Sequence, residues 1–269
     1  MTLVRLLPKS LLSSLVGWLA KAPLSRWVHQ KGMAFFAKRY AIQLEEAEKP
    51  IGEYANFAEF FSRKLKAGMR PVDEDEAALI SPVDGRVSQL GKVADGQCLQ
   101  AKGIWFSAAQ LLGDEEAARS FEGGSFITLY LSPRDYHRIH APLEGEIKSL
   151  HYLPGKFWPV HPILVKHKKA LYSINERMAL VFQTRIGKLA LVAVGATCVG
   201  RIVTAFDAHA THEGKAAYVK PYALPVKKGE ELMRFEMGST VVLLLEKPLE
   251  AFLKPEDVVR MGQKIGSIP

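Results

Sequence analysis

The sequence predicts an α+β fold, with N-terminal amphipathic helices followed by a β-rich, mainly antiparallel domain. Three observations carry that expectation. Apolar residues recur at helical spacing through about residue 66, the period changes to short alternating runs beyond about residue 78, and those runs are broken by Gly and Pro rather than by helical stretches. Short strands punctuated in this way favour antiparallel pairing over βαβ units. The chain therefore divides into a helical region, 1–66, and a β-rich domain, 67–269.

The first helix follows Pro8. In KSLLSSLVGWLAK, Leu11, Leu12, Leu15, Val16 and Leu19 take one face, and Ser13, Ser14 and Gly17 the other. The second, PLSRWVHQKGMAFFAKRY, sets Trp27, Phe35 and Phe36 among basic residues. Residues 1–44 hold Arg5, Lys9, Lys21, Arg26, Lys31, Lys38 and Arg39 with no Asp or Glu, which leaves 29 basic against 28 acidic side chains in the remainder. The formal charge of +8 thus belongs to the N-terminus, and nucleic-acid binding by the whole protein is not implied. Neither stretch has the roughly 18 uninterrupted apolar residues needed to span a bilayer. Basic, aromatic-bearing amphipathic helices instead lie in the membrane interface, with Lys and Arg at anionic headgroups. A signal peptide ending at Ala20-Lys21-Ala22 is the competing reading, but Ser13 and Ser14 interrupt its apolar middle and the basic pattern continues well past that point.

From residue 54, YANFAEFFSRKLK reads as a further helix with Phe57, Phe60, Phe61 and Leu65 on one face. The acidic run at 73–76 is a solvated connector. GRVSQL, SFITLYL, GEIKSLHYL, RMALVFQT, KLALVAVGATCVGRI and STVVLLL then read as strands. APLEGEI, VGRI and RMGQKIGSI have the rhythm of a lipoyl-type carrier sandwich, yet no Lys stands at a hairpin tip to carry a group. An apolar content of 48% supplies a sizeable core. Cys98 and Cys198 have no CxxC or His cluster beside them, so neither a disulfide framework nor a zinc site is implied, which suits a reducing compartment.

Three short stretches could carry chemistry. SPVDGRV puts Asp84 before Gly85 in a turn; alone, such a carboxylate caps backbone amides. LSPRDYHRIHAP holds His137 and His140 just past a strand, with no third ligand at a spacing that would favour a metal. FEMGSTVVLLL sets Gly238 and Ser239 at the edge of a buried strand, where the local reading is a turn. Together they supply an acid, an imidazole and a hydroxyl, the set that activates a serine once folding joins them. What the serine attacks stays open at this level: a serine hydrolase using Asp84, His140 and Ser239 on an external ester, or a non-enzymatic lipid-surface adaptor, are the rival readings. No GxSxG elbow surrounds Ser239.

SPVDG, YLSPRDYHRIHAP and MGST resemble, in type and order, the motifs of the phosphatidylserine decarboxylase family, and LQAKG, YLPG, YSINERM and VGATCVGRI look like its intervening blocks. The pattern is the bacterial, single-subunit one and covers nearly the whole chain. Met237 departs from the Leu more usual there, with volume roughly conserved. The resemblance implies that Ser239 Oγ attacks the carbonyl of Gly238 in an autocatalytic serinolysis, with Asp84 as orienter and His140 as base. β-Elimination and hydrolysis would then leave a pyruvoyl group at Ser239, and a heterodimer of the chain's own pieces, 1–238 and 239–269. Glycine suits position 238 because it has no Cβ to block approach. The pyruvoyl ketone would form a Schiff base with the amine of phosphatidylserine and draw electrons from the adjacent carbon as carbon dioxide leaves, giving phosphatidylethanolamine without a metal. His137 is the candidate for positioning the substrate carboxylate or delivering the proton. In GKFWPVHPILVKHKK, Phe157, Trp158, Ile163 and Leu164 could face acyl chains, and Lys166, Lys168 and Lys169 phosphate. The expected setting is a peripheral protein on an anionic membrane surface, at the cytoplasmic face of a bacterial inner membrane, with homo-oligomerisation left open.

Overall fold

The computed structural model describes residues 25–197, 201–207, 209–211, 216–236 and 240–267. The first amphipathic stretch, Cys198, Met237, Gly238 and Ser239 lie outside the described residues.

Helix α1 (Arg26–Tyr40) buries His29, Met33 and Ala37, each four residues after the last, and ends where Ala41 turns left-handed at φ 54. Its Trp27 and Phe35 stay 66% and 73% exposed. Helix α2 (Phe57–Phe61) starts at Asn56, whose side chain accepts a 3.0 Å bond from the Glu59 N–H. It is shorter than the sequence suggested. Leu65 bridges Ala47, the Lys66 N–H donates to the Glu46 carbonyl and the Glu48 N–H to the Lys64 carbonyl, so extended pairing takes residues that helical spacing alone would have continued. Met33, Ala37, Ile42, Tyr54 and Phe60 make a small core between these elements.

Sixteen strands follow among the described residues: β1 (Ala78–Ile80), β2 (Gly85–Lys92), β3 (Gln97–Ala101), β4 (Ile104–Ser107), β5 (Ser125–Tyr130), β6 (Arg138–His140), β7 (Gly145–Leu153), β8 (Arg177–Thr184), β9 (Gly187–Val194), β10 (Ile202–Thr204), β11 (Tyr218–Val226), β12 (Glu231–Phe235), β13 (Thr240–Leu245), β14 (Glu250–Ala251), β15 (Val258–Val259) and β16 (Lys264–Ser267). Short helices α3 (Ala108–Leu112), α4 (Glu115–Arg119), α5 (Pro162–Val165) and α6 (Leu171–Ile174) are set among them. Every ladder between these strands is antiparallel, so the fold is α+β as the punctuation predicted.

Eight strands form the main sheet in the order β11-β7-β8-β9-β13-β5-β2-β15. All six residues of β13 are buried, as a strand covered on both faces requires. Each buried Val or Leu stabilises by roughly 1.5–3 kcal/mol, which is why this run carries no charge. A smaller sheet, β10-β12-β6, lies apart. The chain passes from β12 in the small sheet to β13 in the large one through residues 236–239 alone.

Candidate active site

The main sheet brings the strand that follows Asp84 and the strand that begins at Thr240 to one end. Arg86 of β2 lies opposite Tyr130 of β5, Tyr130 opposite Thr240 of β13, and Thr240 opposite Val194 of β9. Asp84 is two residues before Arg86, and Ser239 is bonded to Thr240. Neighbouring strands are about 4.8 Å apart, so β2 and β13 run roughly 10 Å from each other with β5 between. Gly85 permits that closeness: a Cβ there would sit 2.7 Å from the Tyr130 carbonyl oxygen.

Asp84 is held by an arginine that the sequence reading missed. Arg70 Nε donates to Oδ1 at 2.8 Å and Nη2 to Oδ2 at 2.6 Å, and the Met261 N–H adds a bond of 2.9 Å to Oδ1. Arg70 Nη2 also reaches Glu46 at 2.8 Å. All three side chains are at most 14% exposed. Although burial disfavours the guanidinium charge, the two carboxylates more than offset it and raise the Arg70 pKa.

The two histidines have separate settings, and neither is bonded to Asp84. His140 Nδ1 lies 2.8 Å from the Gly229 carbonyl oxygen, an acceptor only, so Nδ1 carries the proton. Its Nε2 then accepts from the Tyr136 hydroxyl at 3.0 Å. In this structure the Gly229 carbonyl fixes the His140 ring and Arg70 fixes the Asp84 carboxylate. Burial lowers the His140 pKa. His137 is fully buried, with its ring centroid 4.1 Å from that of Phe61. Its Nδ1 donates to the Asp135 carbonyl at 2.8 Å, while Nε2 has no partner among the described residues. Burial, helped by the nearby Arg63 charge, pushes its pKa down to about 3. A neutral ring so held presents the Nε2 lone pair.

The small sheet sets the two rings at different distances along β12. His140 pairs with Glu231, whereas the His137 carbonyl accepts from the Phe235 N–H at the end that leads into residues 236–239. Four residues of strand separate these positions, about 13 Å.

The 155–169 segment is anchored over the same sheet end. Asn175 clasps the Trp158 backbone, accepting from its N–H at 3.0 Å and donating to its carbonyl at 2.8 Å. A Cβ on Gly155 would meet the Asn175 backbone at 2.5 Å, so this approach demands glycine. Gln100 holds the Val165 and Lys168 carbonyls. The Phe157 carbonyl accepts from the Thr197 hydroxyl. Trp158 packs partly buried on the main core, and Lys168 Nζ stands 4.9 Å from its ring centroid. Lys166 is exposed. His161 lies edge-on to Tyr130 at 6.3 Å, tying the segment to the row that contains Thr240.

The match with known proteins covers the same residues. The family model for phosphatidylserine decarboxylase matches residues 57–267. The chain belongs to the phosphatidylserine decarboxylase family. It is similar to a phosphatidylserine decarboxylase proenzyme of Myxococcus xanthus (strain DK1622), at 53% identity over 100% of this chain and 98% of that protein. Proteins of the same name from Anaeromyxobacter sp. (strain K) and Shewanella sp. (strain ANA-3) are 46% and 42% identical, each over 98% of this chain, and over 96% and 94% of their own lengths. Among the described residues, no group of three His, Cys, Asp or Glu side chains could hold a metal ion. No helix among them is long and apolar enough to cross a membrane. Cys98 is a buried free thiol whose pKa burial raises to about 12, so it is inert at neutral pH.

Proposed function

We propose that this protein converts phosphatidylserine to phosphatidylethanolamine and carbon dioxide, after cleaving itself between Gly238 and Ser239. The observation that carries the reading is the family match over 57–267, supported by the sheet row in which Arg86, two residues after Asp84, lies beside Tyr130 and Tyr130 beside Thr240, the residue after Ser239.

In the cleavage step Ser239 Oγ attacks the Gly238 carbonyl and exchanges the amide for an ester. His140 is the base, neutral through burial, with Nδ1–H fixed on the Gly229 carbonyl and Nε2 linked to the Tyr136 hydroxyl. Asp84, fixed by Arg70, supplies the fixed negative charge of the turn. β-Elimination from the ester would release the Gly238 carboxylate and leave dehydroalanine at residue 239, whose imine tautomer would be hydrolysed by water to the pyruvoyl group with loss of ammonia. The described residues fit such a group: Thr240 is buried beside its position, and the unpartnered His137 Nε2 is a buried acceptor on the loop whose carbonyl meets the end of β12. A pyruvoyl group supplies an electron-accepting carbonyl that condenses with a primary amine, so no separate cofactor is needed. His137 orients the amine through its Nε2 lone pair. Phe157 and Trp158 receive the first acyl carbons, and Lys166 and Lys168 stay near the headgroup surface.

The helical region, 1–66, acts as the membrane-facing part and 67–269 as the catalytic part. Support comes from α1, where Trp27 and Phe35 project among Arg26, Lys31, Lys38 and Arg39 while the opposite side packs on the small core. The protein would then sit peripherally on an anionic membrane, at the cytoplasmic face of a bacterial inner membrane. Intact mass spectrometry tests the chemistry: the active protein should contain a fragment of residues 239–269 lighter than its sequence by one ammonia, and Ser239→Ala should remain one uncut, inactive chain. Activity from an unbroken chain with an ordinary serine would overturn the proposal.

A further inference from the structure

Arg63 follows α2 and, among the described residues, has no carboxylate within ion-pair distance. It is 4% exposed. Its Nη2 donates to the Arg134 carbonyl at 2.9 Å and, at 3.4 Å, to that of Asp135, while Nε and Nη1, closed off from solvent, have no acceptor among the described residues. Burial lowers its pKa despite the acidic groups in the vicinity. A buried charge is costly unless paired, so this guanidinium favours an anion in the space that it borders.

A cavity of about 220 Å³ adjoins this side chain. At about 30 Å³ of liquid volume per water, it has room for a tetrahedral oxyanion and several waters. The acids that line it are already engaged. Asp84 is bound by Arg70 and the Met261 N–H, Glu46 by Arg70, and Asp135 by the Ser132 N–H and hydroxyl at 2.7 and 2.8 Å. Arg134 and Arg260, 53% and 59% exposed, add positive charge at the rim. One wall is the segment just after α1, at Ala41 and Gln43; the other is Asp135 and Tyr136, which lead into His137.

We propose that this cavity is the phosphate subsite, holding the phosphodiester of the substrate headgroup beside the Arg63 guanidinium, with Arg134 and Arg260 at its rim. The inference rests on the lipid-decarboxylase reading. A guanidinium edge fits phosphate or carboxylate oxygens equally well. The carboxylate is the poorer assignment: an arginine bound to it would stabilise the charge that must leave as carbon dioxide and so raise the barrier. The phosphodiester keeps its charge throughout, and only a few bonds separate it from the reacting amine. Holding it would distinguish a phospholipid from free serine.

The test compares two substrates in phosphatidylcholine vesicles with mature two-chain enzyme: phosphatidylserine, and a serine joined to a long-chain alcohol by an ether, which has the amine and carboxylate but no phosphate. Loss of the buried positive charge in Arg63→Ala should raise KM for phosphatidylserine by about 10- to 100-fold with a smaller change in kcat. The ether substrate should be turned over by the variant as by wild type. Arg63→Lys keeps the charge without the fork and should fall between; it also carries the comparison if Arg63→Ala fails to fold. Equal losses on both substrates, or none on either, would overturn the subsite. Inorganic phosphate should compete with phosphatidylserine on wild type and not on Arg63→Ala, whereas phosphate that binds at Arg63 without affecting lipid turnover would assign the cavity to a free anion and overturn the lipid assignment. Wild type that turns over no phosphatidylserine sinks the decarboxylase reading itself, an outcome distinct from turnover that Arg63→Ala leaves untouched, which sinks only the subsite.

Discussion

Replacing Gly85 with Ala should destabilise the protein and slow its maturation. The added Cβ would lie 2.7 Å from the Tyr130 carbonyl oxygen and 3.3 Å from the carbonyl carbon. Both are backbone atoms of β5, so no side chain can rotate away, and β2 must shift from β5 by several tenths of an ångström. Overpacking of this kind costs about 1–3 kcal/mol. At roughly 2–4 °C per kcal/mol, the melting temperature should fall by about 2–12 °C. The same shift carries Asp84 away from its alignment with β13, and misplacements near 1 Å cost on the order of 10²-fold in rate. Self-cleavage should therefore slow by about 10- to 100-fold. Gly91→Ala in the same strand is the control, since its Cβ meets only the edge of the Phe126 ring, at 3.3 Å, which can give. Melting curves and the time course of the residue 239–269 fragment by mass spectrometry read both effects. If Gly85→Ala melts and matures as Gly91→Ala does, the argument from strand separation is wrong.

Arg70→Ala should cost about 3–5 kcal/mol in denaturant unfolding, because Asp84 and Glu46 are left buried without their cation; a loss below about 1 kcal/mol would contradict a structural role for the pair. His137 binds its proton more weakly folded than unfolded, with a folded pKa of about 3 against an ordinary value of 6.5. Its contribution to stability is therefore complete above pH 6.5 and declines as pH falls toward 3, by up to about 1.4 kcal/mol per pH unit. His137→Asn should show a correspondingly flatter loss of stability on acidification, and parallel pH profiles would refute the assignment. Trp27→Ala with Phe35→Ala should weaken binding to anionic vesicles by more than about 10-fold. Their exposure of 66% and 73% means that the unfolding midpoint should stay in place, and unchanged co-sedimentation would remove α1 from the interface.

Strands that lie deep in the main sheet were legible in the sequence. Arg177–Thr184 and Thr240–Leu245 coincide with the runs read from their apolar content, because a strand covered on both faces writes its burial at every position. Edge strand β11 was not legible: Tyr218–Val226 alternates half-buried and exposed positions and includes Pro221 and Pro225, which an edge tolerates and a pattern search rejects. The longer helix expected through Leu65 failed for a related reason, since the bridge to Ala47 depends on a partner 18 residues away. At the site, Asp84 and the two histidines stood out by type and motif. Arg70 and Arg63 did not, because their significance is in side-chain partners, or the lack of them, that only the folded chain defines. Tyr136 was read inside its motif, but its bond to His140 needed the turn before β6 to bring hydroxyl and ring together.

The central position of β13 has a consequence for the matured molecule. Cleavage between Gly238 and Ser239 would free a C-terminal piece whose first strand is wedged between β5 and β9, and whose later strands, β15 and β16, pair with β2 and β1. Such a piece cannot peel from a rim; it can leave only if the whole sheet comes apart. Two separate polypeptides would then have to find each other again, with the new end already chemically altered. Each molecule would therefore get a single assembly, and its working life would be set by how slowly that assembly opens rather than by any equilibrium with the unfolded chains.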